Sequence, residues 1–382
     1  MTAYIVDAVR TPRGKARPDG GLASLTPQQL IKALVDAMEA RGHAPRDAEG
    51  LILGSVGQVG AQGGHIALVS KLYSKLPDSA FAFSVNNYCT SGLSAVSQAA
   101  ALVASGQADT VLAGGVEMMS RVPFMADKAD YYSDNALEPR ARFIPVPVAA
   151  DRLAEDIDMD RPSLDAVTLR SQQLCAAAEG TALVASRIAV NGLDKEEAAR
   201  AKTTADFLSG LPAAFAPMAQ PYAEALEQRE IDFRHTIAHA PPMTDGAALV
   251  LVSNKAEGAR ARIVASVDIG GDPKASLTAG FDAMERVLTK AGLTLKDMDR
   301  IEFMEAFSVV IAKFLRDYDV DVARVNVGGG HLAKGHPMGA TGSILLSSLL
   351  DALEACEGRY GLVVATGAQG VGAAMIVERL SA

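Results

Sequence analysis

Cysteine, basic charge and long apolar runs are all scarce in this sequence. Its 382 residues include 3 cysteines, an odd number that argues against a disulfide framework and favours a reducing compartment. The formal net charge of -9 argues against nucleic acid or an anionic membrane as the main partner, because both select for clustered lysine and arginine. The spacing of cysteine and histidine matches no metal site. No apolar run approaches the roughly 18 residues that span a bilayer, and Met1 to Val6 is typical of a strand rather than a signal peptide, so we expect a cytoplasmic protein.

The sequence does contain an internal repeat. Its hydrophobic content of 49% is ample for a buried core, and its length suggests two or three domains. The stretches Ala37 to Leu51 and Val287 to Ile301 share a helical pattern, a glycine stop, an aspartate and an apolar strand start. At the same offset of 250 residues, Gly92 and Gly342 each open an alanine- or leucine-rich helical pattern, which a buried strand follows. The sequence therefore predicts two similar α/β halves.

The segment between the two copies has a different composition. Charged stretches such as Asp194 to Arg200 have a helical pattern, and proline-rich turns such as Ala240 to Met243 interrupt them. An insertion into a loop costs little loop-closure entropy and often carries a binding function. We therefore predict an inserted cap domain at residues 121–250, between an N-terminal half at residues 1–120 and a C-terminal half at residues 251–382. A surface elaboration without a ligand is the alternative.

Cys89 follows a β-rich run and directly precedes a long alanine-rich helical pattern. A thiol at a helix N-terminus lies near unpaired backbone N–H groups and the positive end of the helix dipole. Both favour an anion, so the sequence predicts a lowered thiol pKa and a nucleophilic thiolate. The alternative is an inert core residue, because unpaired cysteine is among the most buried residue types.

A second chemical motif lies in the C-terminal copy and contains His336. It runs from Asn326 to Gly342 as NVGGGHLAKGHPMGATG, just ahead of a helical pattern. Glycines near His336 allow close backbone approach, and an imidazole within hydrogen-bond reach of a thiol can take its proton. The repeat would bring the two helix-opening motifs to a shared cleft, which makes His336 the natural partner of Cys89. A structural histidine is the alternative.

With these motifs in place, the sequence resembles the thiolase family along nearly its whole length. The matching segments are Asn86 to Leu93, Gly114 to Ser120, Leu169 to Gln173, Asp245 to Ala248 and Gly335 to Gly342. The resemblance implies a five-layered αβαβα fold made of two duplicated halves with an inserted loop domain, assembled as a homodimer or homotetramer. It also implies an acyltransferase of lipid metabolism that takes acyl-CoA or CoA as substrate and holds no bound cofactor.

Carried onto the matching positions, the resemblance assigns the acyl-transfer chemistry. Cys89 is the nucleophile that accepts the acyl group, and His336 activates it and helps to bind a thioester oxygen. The backbone N–H groups of Cys89 and Ala368 form an oxyanion hole, which stabilises the negative charge of the tetrahedral intermediate. We therefore expect an acyl-enzyme on Cys89 that makes or cleaves 3-ketoacyl-CoA.

The chain departs from the family pattern where carbon–carbon chemistry is expected. Counting back from Glu378, Thr366 takes the place of a second cysteine that moves the proton at the α-carbon. A threonine hydroxyl is a poor base near neutrality. Met304 stands where an asparagine usually holds a water in an oxyanion hole, and a thioether sulfur is only a weak acceptor. The acylation half of the chemistry is therefore complete, whereas the carbon–carbon half lacks its usual base.

His331 is the candidate for a substitute base, because the family usually has a small residue at that position. A His331 that faces solvent or contacts a neighbouring subunit is the alternative. Two other functions also stay open. One is an acyl-CoA hydrolase or heteroatom acyltransferase without the Claisen step, and the other is a non-catalytic acyl-CoA-binding subunit.

The phosphates of CoA would need cationic contacts despite the acidic average of the chain. Candidates are the basic residues of the insert, such as Arg170, Arg187 and Arg200. The sequence does not choose among them, since a charge on a helical pattern is usually a solvated face.

Overall fold

The computed structural model describes residues 1–380, in which a mixed sheet is combined with helices on both of its faces. The strands are β1 (Tyr4–Arg10), β2 (Gly14–Lys15), β3 (Gly50–Gly54), β4 (Phe81–Val85), β5 (Thr110–Met118), β6 (Thr244–Ser253), β7 (Ala261–Gly270), β8 (Arg300–Phe303), β9 (Tyr360–Thr366) and β10 (Val371–Arg379). The α-helices are α1 (Pro27–Ala40), α2 (Ile66–Tyr73), α3 (Ser91–Ser105), α4 (Val146–Asp156), α5 (Arg161–Ala178), α6 (Ala205–Ser209), α7 (Ala279–Ala291), α8 (Ser308–Asp317), α9 (His331–Lys334) and α10 (Thr341–Ala355). Within residues 1–380, none of these helices is both long and apolar enough to cross a membrane.

The strands are arranged as two halves with the same internal order. In the first half the order is β4-β3-β5-β6-β1, and in the second it is β8-β9-β10-β7. In both halves a parallel pair, β3 with β5 or β8 with β9, is followed by antiparallel neighbours, and the first half has β4 as an additional parallel strand beside β3. The two half-sheets pair with each other only where the N-terminal end of β1 meets β7, at Tyr4 and Ile5. The internal repeat of the sequence is therefore also a repeat of strand order.

Alternating side chains place helices on opposite faces of the first half-sheet. Leu112 and Val116 of β5 pack with Leu34 of α1, whereas Val111 of the same strand packs with Val96 of α3. This is the period of two that a strand buried on both faces requires. The helices α3 and α10 then pack on each other between the two halves, and α7 packs on β7 and β10 of the second half. The five-layered αβαβα arrangement predicted from the resemblance is confirmed.

Two glycines allow the central helices to approach closely. A Cβ atom on Gly92 would lie 2.8 Å from the carbonyl oxygen of Gly339, and one on Gly342 would lie 2.6 Å from the backbone nitrogen of Leu93. Real Cβ atoms do not tolerate such distances, so only glycine fits at either position. Gly92 and Gly342, which occupy equivalent positions in the repeat, therefore each lie in close contact with the backbone of the opposite half.

One charged stretch of the insert differs from the prediction. The stretch Asp194 to Arg200 is not helical, because its acidic side chains turn toward the first half instead of outward. Glu196 contacts Arg10 Nη1 at 2.9 Å, and Glu197 accepts from the backbone of Lys15 at 2.7 Å. The strand β6, Thr244–Ser253, spans residue 250, which is the predicted end of the insert.

Candidate active site

The turn between β4 and α3 presents the thiol of Cys89. Tyr88 has a positive φ of 47°, which is costly for a bulky residue and shows that the turn is held by its surroundings. The Ser91 hydroxyl donates to the carbonyl of Tyr88 at 2.5 Å and accepts from the backbone of Asn87 at 2.8 Å. The Thr90 hydroxyl donates to the carbonyl of Asn87 at 2.8 Å. This network fixes the sulfur at the entrance to α3, as the sequence predicts.

His336 lies within reach of this sulfur. Its Nε2 atom is 3.1 Å from Cys89 Sγ, and its Nδ1 atom is 2.7 Å from the hydroxyl oxygen of Thr341. A proton on Nδ1 that is donated to Thr341 leaves Nε2 free to accept the thiol proton. The structure therefore brings together the two residues that the sequence pairs across 247 positions.

The backbone around His336 is fixed by the insert. The His336 N–H donates to the carbonyl of Pro242 at 2.8 Å. Gly335 has a φ of +99°, and a Cβ atom there would lie 2.2 Å from Thr244 Cγ2, so no other residue fits. These contacts explain why glycine precedes the histidine in the motif.

Two backbone amides act on the same sulfur. The N–H groups of Ala368 and of Cys89 itself favour a negative charge there and lower the pKa of the thiol. Ala368 follows β9 in a short 3₁₀ turn, Ala368–Gly370, which brings its amide from the C-terminal half to the nucleophile. These are the two donors that the resemblance assigns to an oxyanion hole.

The predicted lowering of the Cys89 pKa is wrong. Burial raises the pKa of the thiol to about 12, and the negative charge of Glu117 adds to the effect, whereas the two amide donors lower it. Burial also lowers the pKa of His336 to about 3, with the charge of Arg13 acting in the same direction. The helix terminus is outweighed because an apolar cavity solvates a thiolate poorly. The pair is therefore a neutral thiol beside a neutral imidazole.

A buried polar layer lies behind His336 and contains His331. The ring of His331 is fully buried and packs edge-on against His336, with centroids 5.5 Å apart. A solvent-facing His331 is therefore wrong, because α9 is buried beneath the insert. Burial lowers the pKa of His331 well below its usual value, and the charges of Arg13 and Lys334 add to this. His331 is not among the residues that line the cavity above Cys89, so it can reach a substrate only through His336.

Glu117 is a buried carboxylate near the site that sequence reasoning missed. It accepts from the backbone of Val56 at 2.8 Å and of Gly339 at 2.9 Å, and from Gln62 Nε2 at 2.6 Å. Burial raises its pKa, although these donors favour the charged form. Because Gly339 belongs to the histidine motif, Glu117 ties the end of β5 to the opposite half. The only signal in the sequence was its place in the motif Gly114 to Ser120.

The two departures from the family pattern lie beside the site rather than in it. Thr366 is the last residue of β9, and its buried hydroxyl donates to the carbonyl of Leu277 at 2.9 Å. Met304 is fully buried in the main core cluster at the end of β8. Neither residue is among those that line the cavity above Cys89. The position next to Thr366 does face the nucleophile, since a Cβ atom on Gly367 would lie 3.4 Å from Cys89 Cβ.

A cavity of about 610 Å³ lies above the thiol, which is an ordinary size for a small-molecule site. Cys89, His336 and Ala368 form part of its wall. The rest comes mostly from apolar side chains of the insert and of the turn that follows β8: Phe124, Met125, Phe215, Met218, Tyr222, Ile237, Met243 and Phe307. Side chains of residues 121–250 therefore line much of a cavity to which both halves contribute.

The candidate cations are not equivalent. Arg170 donates to the carbonyls of Val322 and Val325, both at 2.7 Å, and Arg187 forms a two-pronged ion pair with Glu179 at 2.7 Å. Arg200 instead lines a second cleft of about 340 Å³ together with Lys15 and Arg17. This cleft shares Pro242 and Met243 with the cavity above Cys89. One of the three candidate arginines therefore lines a cleft that adjoins the cavity above the thiol.

The chain is similar to known proteins along its whole length. The family model for the N-terminal domain of thiolase matches residues 3–256, and the model for its C-terminal domain matches residues 258–379. The β-ketoadipyl-CoA thiolase of Acinetobacter baylyi is 33% identical, with 99% of each chain covered, and the 3-ketoacyl-CoA thiolase of Bacillus subtilis is 31% identical, with 98% of this chain and 99% of the relative covered. The crystal structure of human mitochondrial 3-ketoacyl-CoA thiolase superposes with a TM-score of 0.86 at 26% identity, over 99% of each chain. The two matching domains, the relatives and the shared fold together show that this chain belongs to the thiolase family.

Proposed function

We propose that this protein is an acyltransferase that forms an acyl-enzyme on Cys89 and makes or cleaves 3-ketoacyl-CoA. The observation that carries the proposal is the distance of 3.1 Å between Cys89 Sγ and His336 Nε2 in the wall of a cavity of substrate size. The names of the thiolases that cover the chain end to end support it, since they act on β-ketoadipyl-CoA and 3-ketoacyl-CoA.

In the cleavage direction, the first step transfers the acyl group to the protein. Cys89 Sγ attacks the C3 carbonyl of the substrate while its proton passes to His336 Nε2. The negative charge on the carbonyl oxygen is met by the N–H groups of Cys89 and Ala368, and each such donor is worth about 10²–10³ in rate in a well-studied hydrolase. Collapse of the intermediate breaks the C2–C3 bond and leaves the acyl group on sulfur and acetyl-CoA as its enolate.

The enolate then needs a proton at its α-carbon. Thr366 occupies the place of the second cysteine, and its hydroxyl is engaged with Leu277. Among the described residues that line the cavity, the ionisable side chains are Tyr88, Cys89, Tyr222 and His336. With Cys89 acylated, we assign the proton transfer to His336, which passes the former thiol proton to the α-carbon. No further acid is needed to balance this step.

The second step returns the protein to its starting state. The thiol of CoA gives its proton to His336 Nε2 as its sulfur attacks the acyl-enzyme, and the bond between the acyl carbon and Cys89 Sγ breaks. The proton on His336 then returns to Cys89. One histidine therefore serves both half-reactions, in either direction, without a second cysteine.

Incubation with 3-ketoacyl-CoA or acyl-CoA should add the acyl mass to one residue, Cys89. Intact-mass spectrometry with peptide mapping measures this, and Cys89→Ala should show no adduct. Thr366→Val is the matched control, because its hydroxyl does not line the cavity; it should keep both the adduct and acetyl-CoA release within about threefold of the parent protein. Release of CoA without acetyl-CoA would contradict the proposal and indicate a hydrolase. The absence of an adduct with every donor would indicate a non-catalytic acyl-CoA-binding protein.

We further propose that Lys15, Arg17 and Arg200 hold the phosphates of CoA. The three cations line one cleft, which shares Pro242 and Met243 with the cavity above the thiol. An exposed ion pair is worth up to about 1 kcal/mol. Arg200→Ala should therefore raise the KM for CoA by about three- to fivefold and leave kcat unchanged. Thioesters of pantetheine, which lack the nucleotide phosphates, are the matched substrates and should not distinguish the two proteins. An equal KM increase for both substrate types would contradict the assignment.

A further inference from the structure

The cavity above Cys89 has walls without formal charge. Among the described residues, no aspartate, glutamate, lysine or arginine lines it. Five methionines, five prolines and three phenylalanines supply more than half of its 24 lining residues. Apart from Cys89 and His336, the polar side chains in the wall are those of Tyr88 and Tyr222. A bound chain would therefore make van der Waals contacts with most of the wall, and a charged group on that chain would meet no side chain of opposite charge there.

One side of this cavity is rigid and the other is adaptable. Phe215 packs edge-on against Phe307 at 5.7 Å between ring centroids, and Tyr222 packs on the buried Phe143 at 5.8 Å. Met218 and Met243, in contrast, are 42% and 61% exposed. Aromatic pairs hold a fixed shape, whereas methionine has three rotatable bonds and fills irregular gaps. Such a wall suits apolar groups of different bulk.

The nearby charges oppose an anion inside the cavity. The cations Lys15, Arg17 and Arg200 lie in the neighbouring cleft, beyond Pro242 and Met243, where the nucleotide of CoA is proposed to bind. Two carboxylates outside the cavity act on its wall: Glu117 helps to raise the pKa of Cys89, and Asp127 helps to raise the pKa of Tyr88. A buried carboxylate without a cationic partner is strongly disfavoured, because it loses its hydration and gains no countercharge.

We propose that the acyl end of this cavity binds an uncharged, apolar 3-ketoacyl chain and excludes a chain that ends in a carboxylate. This inference rests on the proposed acyltransferase function and adds the substrate class to it. It also separates this chain from its relatives named β-ketoadipyl-CoA thiolase, because an adipyl chain ends in a carboxylate.

Two substrates of equal length test the proposal. 3-Oxohexanoyl-CoA and 3-oxoadipyl-CoA both have six-carbon acyl chains and differ only at the terminal carbon, which is a methyl group in one and a carboxylate in the other. We expect kcat/KM for thiolysis to favour the methyl-ended substrate by at least about 100-fold. Each added methylene should then raise kcat/KM by about fourfold until the cavity is filled. Equal use of the pair, or a preference for 3-oxoadipyl-CoA, would overturn the inference.

A cation placed in the wall should reverse part of this selection. Met218 is partly exposed, so an arginine there can keep its charge hydrated while it reaches the cavity. Met218→Arg should shift the ratio of the two kcat/KM values toward the carboxylate by about 10-fold or more, and Met218→Leu, its uncharged control, should not. An unchanged ratio in Met218→Arg would contradict the electrostatic cause of the selection.

Binding to the Cys89→Ala protein separates the substrate class from the reaction. Calorimetric titration with hexanoyl-CoA and adipyl-CoA measures the preference without turnover. If the variant binds hexanoyl-CoA more tightly but the parent protein forms no acyl-enzyme, the substrate class stands and the acyltransferase function is refuted. If the parent protein is acylated on Cys89 but the variant binds adipyl-CoA as tightly or more tightly, the acyltransferase function stands and the substrate class is refuted.

Discussion

Replacement of His336 by alanine should slow acylation of Cys89 by at least about 10³-fold near pH 7. General acid–base catalysis typically accelerates a reaction by about 10²–10⁴-fold. We expect an effect within the upper part of this range, because the thiol is neutral near pH 7. The pKa of the Cys89 thiol is raised to about 12, so a protein without the histidine would have to react through a very small fraction of thiolate. Single-turnover acylation, followed by quenched intact-mass measurement, gives the rate constant directly.

The pH dependence distinguishes loss of the base from a distorted site. With pKa values of about 3 for His336 and about 12 for Cys89, both groups stay neutral from acid to alkaline conditions, so the parent rate should be flat between about pH 5 and 9. In His336→Ala, the rate should instead rise about tenfold per pH unit, because only the thiolate reacts. Thr341→Val, which keeps the imidazole but removes its Nδ1 partner, should lose about tenfold and stay flat. A His336→Ala rate within tenfold of the parent protein would refute the role.

The sequence was sufficient for features that depend on local pattern and repetition. The periodicity around Gly92 and Gly342 predicted two matching helices, and the structure places them back to back at the centre of the fold. The same repeat predicted that Cys89 and His336 would meet, and their side chains lie at hydrogen-bond distance. Both predictions succeed because a duplicated α/β half carries its loops to equivalent places on either side of an approximate twofold axis.

Properties that depend on the environment of a side chain could not be predicted in this way. The thiol of Cys89 has the helix terminus that the sequence indicates, yet its pKa is raised, because the apolar wall comes from segments that are distant in sequence. One hypothesis from the sequence placed His331 at the solvent surface. The residue is instead fully buried, because α5 of the insert packs over α9. Glu196 and Glu197 have helical spacing, but contacts with Arg10 and Lys15 hold them in an irregular segment. In each case a tertiary contact outweighs the local signal.

A cysteine at position 367, but not at position 366, should form a disulfide with Cys89. A Cβ atom on Gly367 would lie 3.4 Å from Cys89 Cβ, close to the roughly 3.5–4.5 Å that disulfides span. The backbone of Gly367 is extended, with a φ of -143°, so a side chain is allowed there. Thr366 points away, toward Leu277. The family's second cysteine corresponds to position 366. If position 367 faces Cys89 and position 366 does not, a cysteine at position 366 could not take part in the chemistry.

The experiment needs room for the new side chain. The Cβ atom on Gly367 would also lie 2.7 Å from Val371 Cγ2, so both variants are made in a Val371→Ala background. Under mild oxidation, Gly367→Cys should lose the free thiol of Cys89 and all acyl-transfer activity, and dithiothreitol should restore both. Thr366→Cys should keep a free Cys89 and its activity throughout. A disulfide in Thr366→Cys would instead show that residue 366 faces the cavity. The mechanism with a single histidine would then be contradicted, because it depends on residue 366 pointing away from Cys89.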